Sequence, residues 1–224
     1  MRATLEILAF ALLAAASPTV FLATLVVLGT ARGRLNGIFF AAGFILGQAI
    51  GLGVPFVIGV AVTSKTAEHG TITASFEVAV GALMVYAAYR MRGPKRDRPA
   101  RGASRTAAVL ERLERVDPKS AAAIAVLLGI GTKRLVISIL AASTIALSFS
   151  SGVAQLNVGA MYVVVAAVPV WLPVMVYVVV GPRADEWVRV SKAWLIANQR
   201  QVTFYLALVF GVLFVVDGVV GLVA

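Results

Sequence analysis

Apolar residues run along this chain in long blocks, and polar residues gather between them. Six blocks are long enough to cross a bilayer, since a spanning helix needs about 20 mostly apolar residues. The only long polar connection, 92–119, contains a short amphipathic stretch at 104–116. The pattern therefore predicts an all-α integral membrane protein with six transmembrane helices. The predicted spans are Leu5–Gly29, Leu35–Val62, Ile72–Met91, Ser120–Phe149, Val153–Gly181 and Val202–Val223.

The composition agrees with this pattern. The 224 residues are 60% apolar and 13% charged, whereas a soluble domain averages about 45–50% apolar and about 25% charged residues. The chain has no cysteine and one histidine, which argues against disulfides, thiolate metal sites and a histidine-based catalytic triad. No nucleophile and general base stand in a recognisable pattern. We therefore expect a protein that is not an enzyme and that needs neither a cofactor nor a metal.

The basic residues predict the orientation in the cytoplasmic membrane. Sixteen of the 20 Lys and Arg residues fall in, or at the edge of, the connections after spans one, three and five. Because positive charges remain on the cytoplasmic side, loops 30–36, 92–119 and 182–201 are predicted to be cytoplasmic and both termini outside. The net charge of +10 then indicates contact with anionic membrane lipids. Nucleic acid is not an expected partner, since 92–119 has no aromatic residue on which bases could stack.

Weak self-similarity divides the chain into two halves. Residues 16–19 in span one align with 130–133 in span four, and at the same offset Pro55 falls on Pro169. Three spans followed by three similar spans enter the membrane from opposite sides, an arrangement typical of secondary transporters. We therefore predict a 3+3 inverted repeat in which helices one and four are kinked or broken. Its parts are the first repeat 1–91, the basic loop 92–119 and the second repeat 120–224.

Two cations lie deep inside predicted span four. Lys133 and Arg134 stand about 13 residues after its start, about 20 Å along a helix. A charge at that depth is costly unless it is paired or hydrated, so it marks a candidate functional site. The alternative is a structural ion pair with Asp217 or Glu77, which are also candidate coupling residues. The predicted substrate-binding residues are Ser17, Pro18, Thr19, Thr132, Lys133 and Arg134.

Three glycines, Gly43, Gly47 and Gly51, recur every four residues along span two. Such a stripe of small residues lets another helix approach closely. The neighbouring helix can belong to the same chain or to a second copy. The stripe therefore predicts either internal packing or a homodimer through these glycines.

Two short motifs give the chain a family resemblance. They are Ala16-Ser17-Pro18-Thr19 in span one and Gly131-Thr132-Lys133-Arg134-Leu135 in span four. With six spans, outside termini and a basic central loop, they resemble the lysine-exporter (LysE) superfamily. Within it the chain is most similar to the GAP family, the glycopeptidolipid- and sulfolipid-addressing proteins of mycobacteria and other actinobacteria. The resemblance implies movement of an envelope lipid or glycolipid to the cell surface.

Three functions compete at this point. The first is a lipid or glycolipid transporter, in which the intramembrane cations hold an anionic headgroup. The second is a LysE-type exporter of amino acids or other small solutes. The third is a non-transporting scaffold, whose basic loop docks a lipid synthase or a lipid pump. For the second function, the residues that would line an enclosed polar cavity are Gln48, Ser138, Ser143, Thr144 and the segment 17–19.

Overall fold

A computed structural model describes residues 2–63 and 116–223, together with five single residues between these ranges at positions 82, 85, 86, 89 and 113. Within these ranges, the structure does not describe the side chains at positions 2, 58–63, 182, 213–214 and 216–223. All regular structure in the described ranges is helical. The helices are α1 (Arg2–Ala15), α2 (Pro18–Leu28), α3 (Gly33–Thr63), α4 (Pro118–Gly129), α5 (Thr132–Ser148), α6 (Gly152–Ala166), α7 (Val168–Val180) and α8 (Ala184–Val223), with a 3-10 turn at Gly181–Arg183.

One continuous helix and three bent helix pairs have the length and apolar character of membrane spans. The continuous one is Gly33–Val57 of α3. The pairs α1–α2, α4–α5 and α6–α7 bend by 55°, 59° and 66°. The described residues thus hold up to four spans, which correspond to predicted spans one, two, four and five. The complete six-span repeat stays a prediction, because most of predicted span three lies outside the description.

Helices one and four are broken at the positions that the sequence predicted. In the first, α2 begins at Pro18, and Ser17 before it is extended, with φ −133° and ψ 96°. Proline suits the first position of a helix, where its missing N–H has no partner to lose. In the second, α5 begins at Thr132 after Gly131, which has φ −43° and ψ 146°. No side chain caps either helix start.

Proline positions alone do not locate the breaks. Pro55 lies inside α3, which continues through it, whereas its predicted counterpart Pro169 follows a break at Ala167. The indole Nε1 of Trp171 donates a hydrogen bond of 2.9 Å to the carbonyl oxygen of Val164 on the far side of that break. A side chain thereby supplies a partner to a carbonyl near the interrupted end of α6.

The predicted cytoplasmic connection 182–201 is mostly helix rather than loop. Helix α8 begins at Ala184 and runs without interruption through predicted span six to Val223. Trp187 and Trp194 are exposed on it, while Val188 and Leu195 are buried. No proline occurs between these bounds to stop the helix, so most of this connection and predicted span six form one element.

The chain divides into two compact units, and each takes residues from both sequence halves. The first consists of Met1–Val62 and Ala100–Ile196, and the second of Thr63–Pro99 and Ala197–Ala224. These units do not coincide with the predicted repeats 1–91 and 120–224. The repeats describe internal similarity rather than compactness, and they stay a prediction.

The first unit has a close-packed apolar core. Helix α1 packs against α5 and α6, and α2 packs against α7. The buried cluster joins α2, α3, α4, α7 and the start of α8, and it includes Leu113 from the predicted amphipathic stretch. Leu113 therefore contacts protein rather than the membrane surface. The largest fully buried side chains of this cluster are Leu25, Leu28, Phe40, Phe44 and Leu113.

A buried asparagine holds one end of this unit together. The Nδ2 of Asn36 donates to the hydroxyl oxygen of Thr30 at 2.9 Å and to the carbonyl oxygen of Val116 at 3.0 Å. Asn36 lies in the first turns of α3 and is 1% exposed. It therefore ties the turn between α2 and α3 to the segment that leads into α4.

Candidate functional site

The candidate site is built around the second break, and small residues bring α3 close to it. A Cβ atom on Gly43 would overlap the backbone of Ala122, and one on Gly47 would overlap the carbonyl oxygen of Val126. Both neighbours belong to α4 of the same chain. Two positions of the glycine stripe are thus packed internally. A homodimer through Gly43, Gly47 and Gly51 is not tested by a single chain and stays a prediction.

The same face of α3 covers the break itself. A Cβ atom on Gly129, the last residue of α4, would lie 2.8 Å from the carbonyl oxygen of Phe44 and 3.0 Å from the backbone nitrogen of Gln48. One turn further along α3, the Cβ position of Gly51 lies 3.8 Å from the hydroxyl oxygen of Ser138 on α5. The stretch of α3 from Phe44 to Gly51 therefore runs past the end of α4 and along the beginning of α5.

Arg134 is the buried cation of this region. It is the third residue of α5, and 4% of it is exposed. Its guanidinium carbon lies 4.8 Å from the ring centroid of Phe44, which places the charge over the aromatic face. Neither terminal nitrogen, Nη1 or Nη2, has a hydrogen-bond partner among the described residues. A buried charge whose donors lack hydrogen-bond partners is energetically costly. Binding of an anion to this guanidinium is therefore favourable.

Further polar side chains complete the site. Gln48 is 0% exposed, and neither its Oε1 nor its Nε2 has a partner within the described part of the chain. Ser138 follows Arg134 by one turn of α5, and its hydroxyl oxygen lies 3.1 Å from that of Tyr162 on α6. We call Phe44, Gln48, Arg134, Ser138 and Tyr162 the polar centre.

The structure places the two predicted cations in different environments. Thr132 and Lys133 are exposed in the first turn of α5, whereas Arg134 is buried. At the other break, the segment Ser17–Thr19 is half-buried. Helix α1 leads into that break and packs against α5, which starts at the second break.

Two predicted residues remain unplaced, and two others were missed. Glu77 and the side chain of Asp217 lie outside the described residues, so their predicted pairing with the cations stays a prediction. Sequence reasoning did not single out Phe44 or Tyr162. For Phe44 a signal existed, since it precedes Gln48 by one helical turn. Tyr162 joins the site only through the packing of α6 on α5, which no local pattern reveals.

A second feature of the first unit is an amphiphilic groove between the end of α2, α7 and the start of α8. Its volume is about 490 Å³, and Leu25, Leu28 and Val188 lie beside charged side chains of α8. Tyr177 donates a hydrogen bond of 2.7 Å to Asp185. Arg189 donates two hydrogen bonds to Glu186, at 2.7 and 3.0 Å, and holds the pKa of that carboxyl below its ordinary value.

The potential metal ligands are sparse in the described ranges. No group of three or more His, Asp or Glu side chains there could hold a metal ion. The chemistry that this region offers is anion recognition by Arg134 and hydrogen bonding by neutral polar groups. That the protein needs no metal or cofactor stays a prediction.

Comparison with known proteins identifies one family. A protein-family model described as "Sap, sulfolipid-1-addressing protein" matches residues 7–220, which include both breaks and the polar centre. No curated protein and no solved structure matches the chain. The match confirms the sulfolipid-addressing part of the predicted resemblance. Membership of the LysE superfamily stays a prediction.

Proposed function

Because the chain belongs to the sulfolipid-1-addressing protein family, we propose that it moves an envelope lipid or glycolipid across the cytoplasmic membrane toward the cell surface. The family name suggests a part in sulfolipid addressing or lipid export. The proposed cargo has an anionic or polar headgroup. Its tails stay in the bilayer while the headgroup crosses through the first unit.

The observation that carries this proposal is the buried Arg134 directly after the break at Gly131. The start of α5 has no side-chain cap, so its first N–H groups and the positive end of its dipole favour an anion. Irregular backbone at membrane depth is tolerated where it is buried in protein or lines a cavity. A negatively charged headgroup is complementary to this arrangement.

The breaks also offer a way to move. Two spans that are interrupted near their middles can change the angle between their halves without unwinding either half. In transporters with inverted repeats, such movement opens the site to each side of the membrane in turn. We propose that the segment Ser17–Thr19 and the turn before Thr132 are the places where the angle changes, and that exposed Lys133 attracts the headgroup toward Arg134.

The amphiphilic groove supports a lipid rather than a wholly polar cargo. Apolar side chains of α2 lie there next to Asp185, Arg189 and Lys192. On the proposed topology this groove faces the cytoplasm. It would receive a headgroup and the first carbons of its tails together.

The first experiment compares total and surface-exposed envelope lipids in cells that lack the protein. We expect a specific lipid to be made but retained inside, and wild-type protein to restore its export. Arg134→Ala should restore at most about a tenth of it, while Lys133→Ala and Asp217→Asn test the neighbouring and the unplaced charges. Arg183→Ala, an exposed basic residue away from the polar centre, is the matched control. An unchanged distribution of every envelope lipid in the deletion strain contradicts the proposal.

A second candidate function is export of amino acids or other small solutes. The buried Gln48 favours it, because its amide has no hydrogen-bond partner among the residues the structure describes and a small polar solute also needs such partners inside the membrane. If the deletion strain has normal lipids but accumulates amino acids under overload, this function replaces the first.

The third candidate is a scaffold that transports nothing. The exposed Trp187 and Trp194 and the basic loop would dock a lipid synthase or a lipid pump. If lipids change on deletion but all the charge variants restore export fully, the scaffold replaces the transporter. Transport of lipid by the purified protein alone in liposomes dismisses the scaffold.

A further inference from the structure

Some buried side-chain atoms of the polar centre lack hydrogen-bond partners among the described residues. The atoms that have no hydrogen-bond partner in the described part of the chain are the two terminal nitrogens of Arg134 and both polar atoms of the Gln48 amide. Three of these four are donors and one is an acceptor. A buried polar group without a partner destabilises the folded protein, and a charged group does so more. A bound species that supplies both kinds of partner therefore stabilises the site.

The residues that carry these four atoms belong to facing stretches of α3 and α5. Phe44 stands opposite Arg134, because the guanidinium carbon is 4.8 Å from its ring centroid. Further along, Gly51 stands opposite Ser138 at 3.8 Å. Gln48 lies between Phe44 and Gly51 on the same face of α3, since residues three or four apart are neighbours on a helix. Gln48 therefore belongs to the stretch of α3 that faces the beginning of α5, where Arg134 lies.

We propose that Arg134 and Gln48 form a binding site for an oxyanion that carries a neighbouring hydroxyl group. The planar guanidinium presents two parallel N–H groups, which match two oxygens of a sulfate or phosphate. The Gln48 amide donates to a further oxygen and accepts from the hydroxyl. A sugar or polyol that bears a sulfate or phosphate ester has this pattern, and so has free hydrogen phosphate. If the oxyanion belongs to a lipid headgroup, the inference rests on the proposed function.

Gln48 is neutral, so it selects among anions and does not attract every anion by charge. A site made only by a guanidinium would take any anion of suitable size, including chloride. A site that also needs a donor and an acceptor prefers the hydroxyl-bearing oxyanion, because a simple anion leaves the amide oxygen without a partner. The proposal therefore predicts selectivity as well as binding.

The test uses the purified full-length chain in an uncharged detergent and measures its thermal unfolding. The probes are glucose 6-phosphate, hydrogen phosphate, sulfate and chloride at matched ionic strength. The lipid arm repeats the unfolding measurement in the same detergent with a sulfated galactolipid added, and with phosphatidylcholine as the control lipid. The variants are Arg134→Met and Gln48→Met, which approximately keep side-chain volume. Thr203→Val is the control, since the Thr203 hydroxyl donates to the carbonyl oxygen of Gln199 on its own helix and this residue is not part of the polar centre.

We expect glucose 6-phosphate and hydrogen phosphate to raise the midpoint of unfolding, and sulfate and chloride to do so less. Gln48→Met should weaken glucose 6-phosphate binding about tenfold or more and reduce the preference over chloride, while Thr203→Val binds as wild type does. If Arg134→Met does not fold, Gln48→Met decides alone. Equal responses to all four probes, or a folded Gln48→Met with unchanged affinity and selectivity, overturn the proposal.

The two sources of the oxyanion give different results, and both support the site. A higher midpoint of unfolding with the sulfated lipid but not with phosphatidylcholine identifies a headgroup. A higher midpoint with glucose 6-phosphate or hydrogen phosphate, without an effect of the sulfated lipid, identifies a free anion. If the selective site is present but deletion leaves envelope lipids unchanged, the proposed function fails and this inference stands. If lipid export fails on deletion but none of the probes binds, the inference fails and the proposed function stands.

Discussion

Helix α3 and the span that it crosses, α4–α5, both contain residues that weaken helices. Helix α3 stays continuous, whereas α4–α5 is broken. Helix α3 holds glycines at 43, 47, 51 and 53 and a proline at 55, yet it continues over 31 residues. The span α4–α5 has no proline in its middle and bends by 59°. On α3, two glycines are used for contact with α4, and the helix stays intact. In α4–α5, the break is followed by the buried cation Arg134. Whether a helix breaks therefore depends more on what each glycine or proline contacts than on how many of them the helix contains.

The largest effect is expected from filling the α3–α4 contact. Gly47→Ala places a methyl group on the carbonyl of Val126, and the two backbones must separate. Overpacking of this kind costs about 1–3 kcal/mol. Gly53→Ala is the matched control on the same helix, because its Cβ position has nothing within 4 Å. The measurement is the free energy of unfolding of the purified protein. Equal destabilisation by both substitutions would show that helix contact does not distinguish them.

A smaller effect is expected at the break between α6 and α7. Trp171→Phe keeps an aromatic ring but removes the hydrogen bond to Val164. The loss should cost about 1 kcal/mol. Trp187→Phe on α8 is the control. Its ring is also partly exposed, at 40%, and it lies away from every break. If both variants unfold alike, the indole does not stabilise the interrupted helix.

The smallest effect concerns pH at the start of α4. The carboxylate of Asp117 caps this helix by accepting a hydrogen bond of 3.4 Å from the N–H of Ser120, and hydrogen bonds from Ser120 lower its pKa. A carboxyl whose pKa is lower in the folded state stabilises the protein above the unfolded pKa of about 3.9 and loses this effect as the pH falls through the folded pKa. Wild type should therefore exceed Asp117→Asn slightly in unfolding midpoint at pH 6. The gap should narrow as the pH falls below the unfolded pKa of about 3.9, and a gap that widens there contradicts the capping role.

The elements of the fold followed from sequence more readily than their contacts. Long apolar blocks predicted the helices of spans one, two, four and five, and Pro18 and Gly131 marked both predicted breaks. The sequence did not distinguish Lys133 from Arg134. These neighbours point about 100° apart around α5, and which one is buried depends on where α3 lies. Phe44 and Tyr162 were missed for the same reason, because their roles come from packing between helices.

The bond between Asn36 and Val116 has a consequence for how the chain is made. Its two partners are 80 residues apart in sequence. At a synthesis rate of about 5–20 residues per second, the acceptor leaves the ribosome roughly 4–16 s after the asparagine. During that interval the Asn36 amide lacks one of its final partners. The first spans can therefore enter the bilayer early, but their junction is completed only when the segment before α4 arrives.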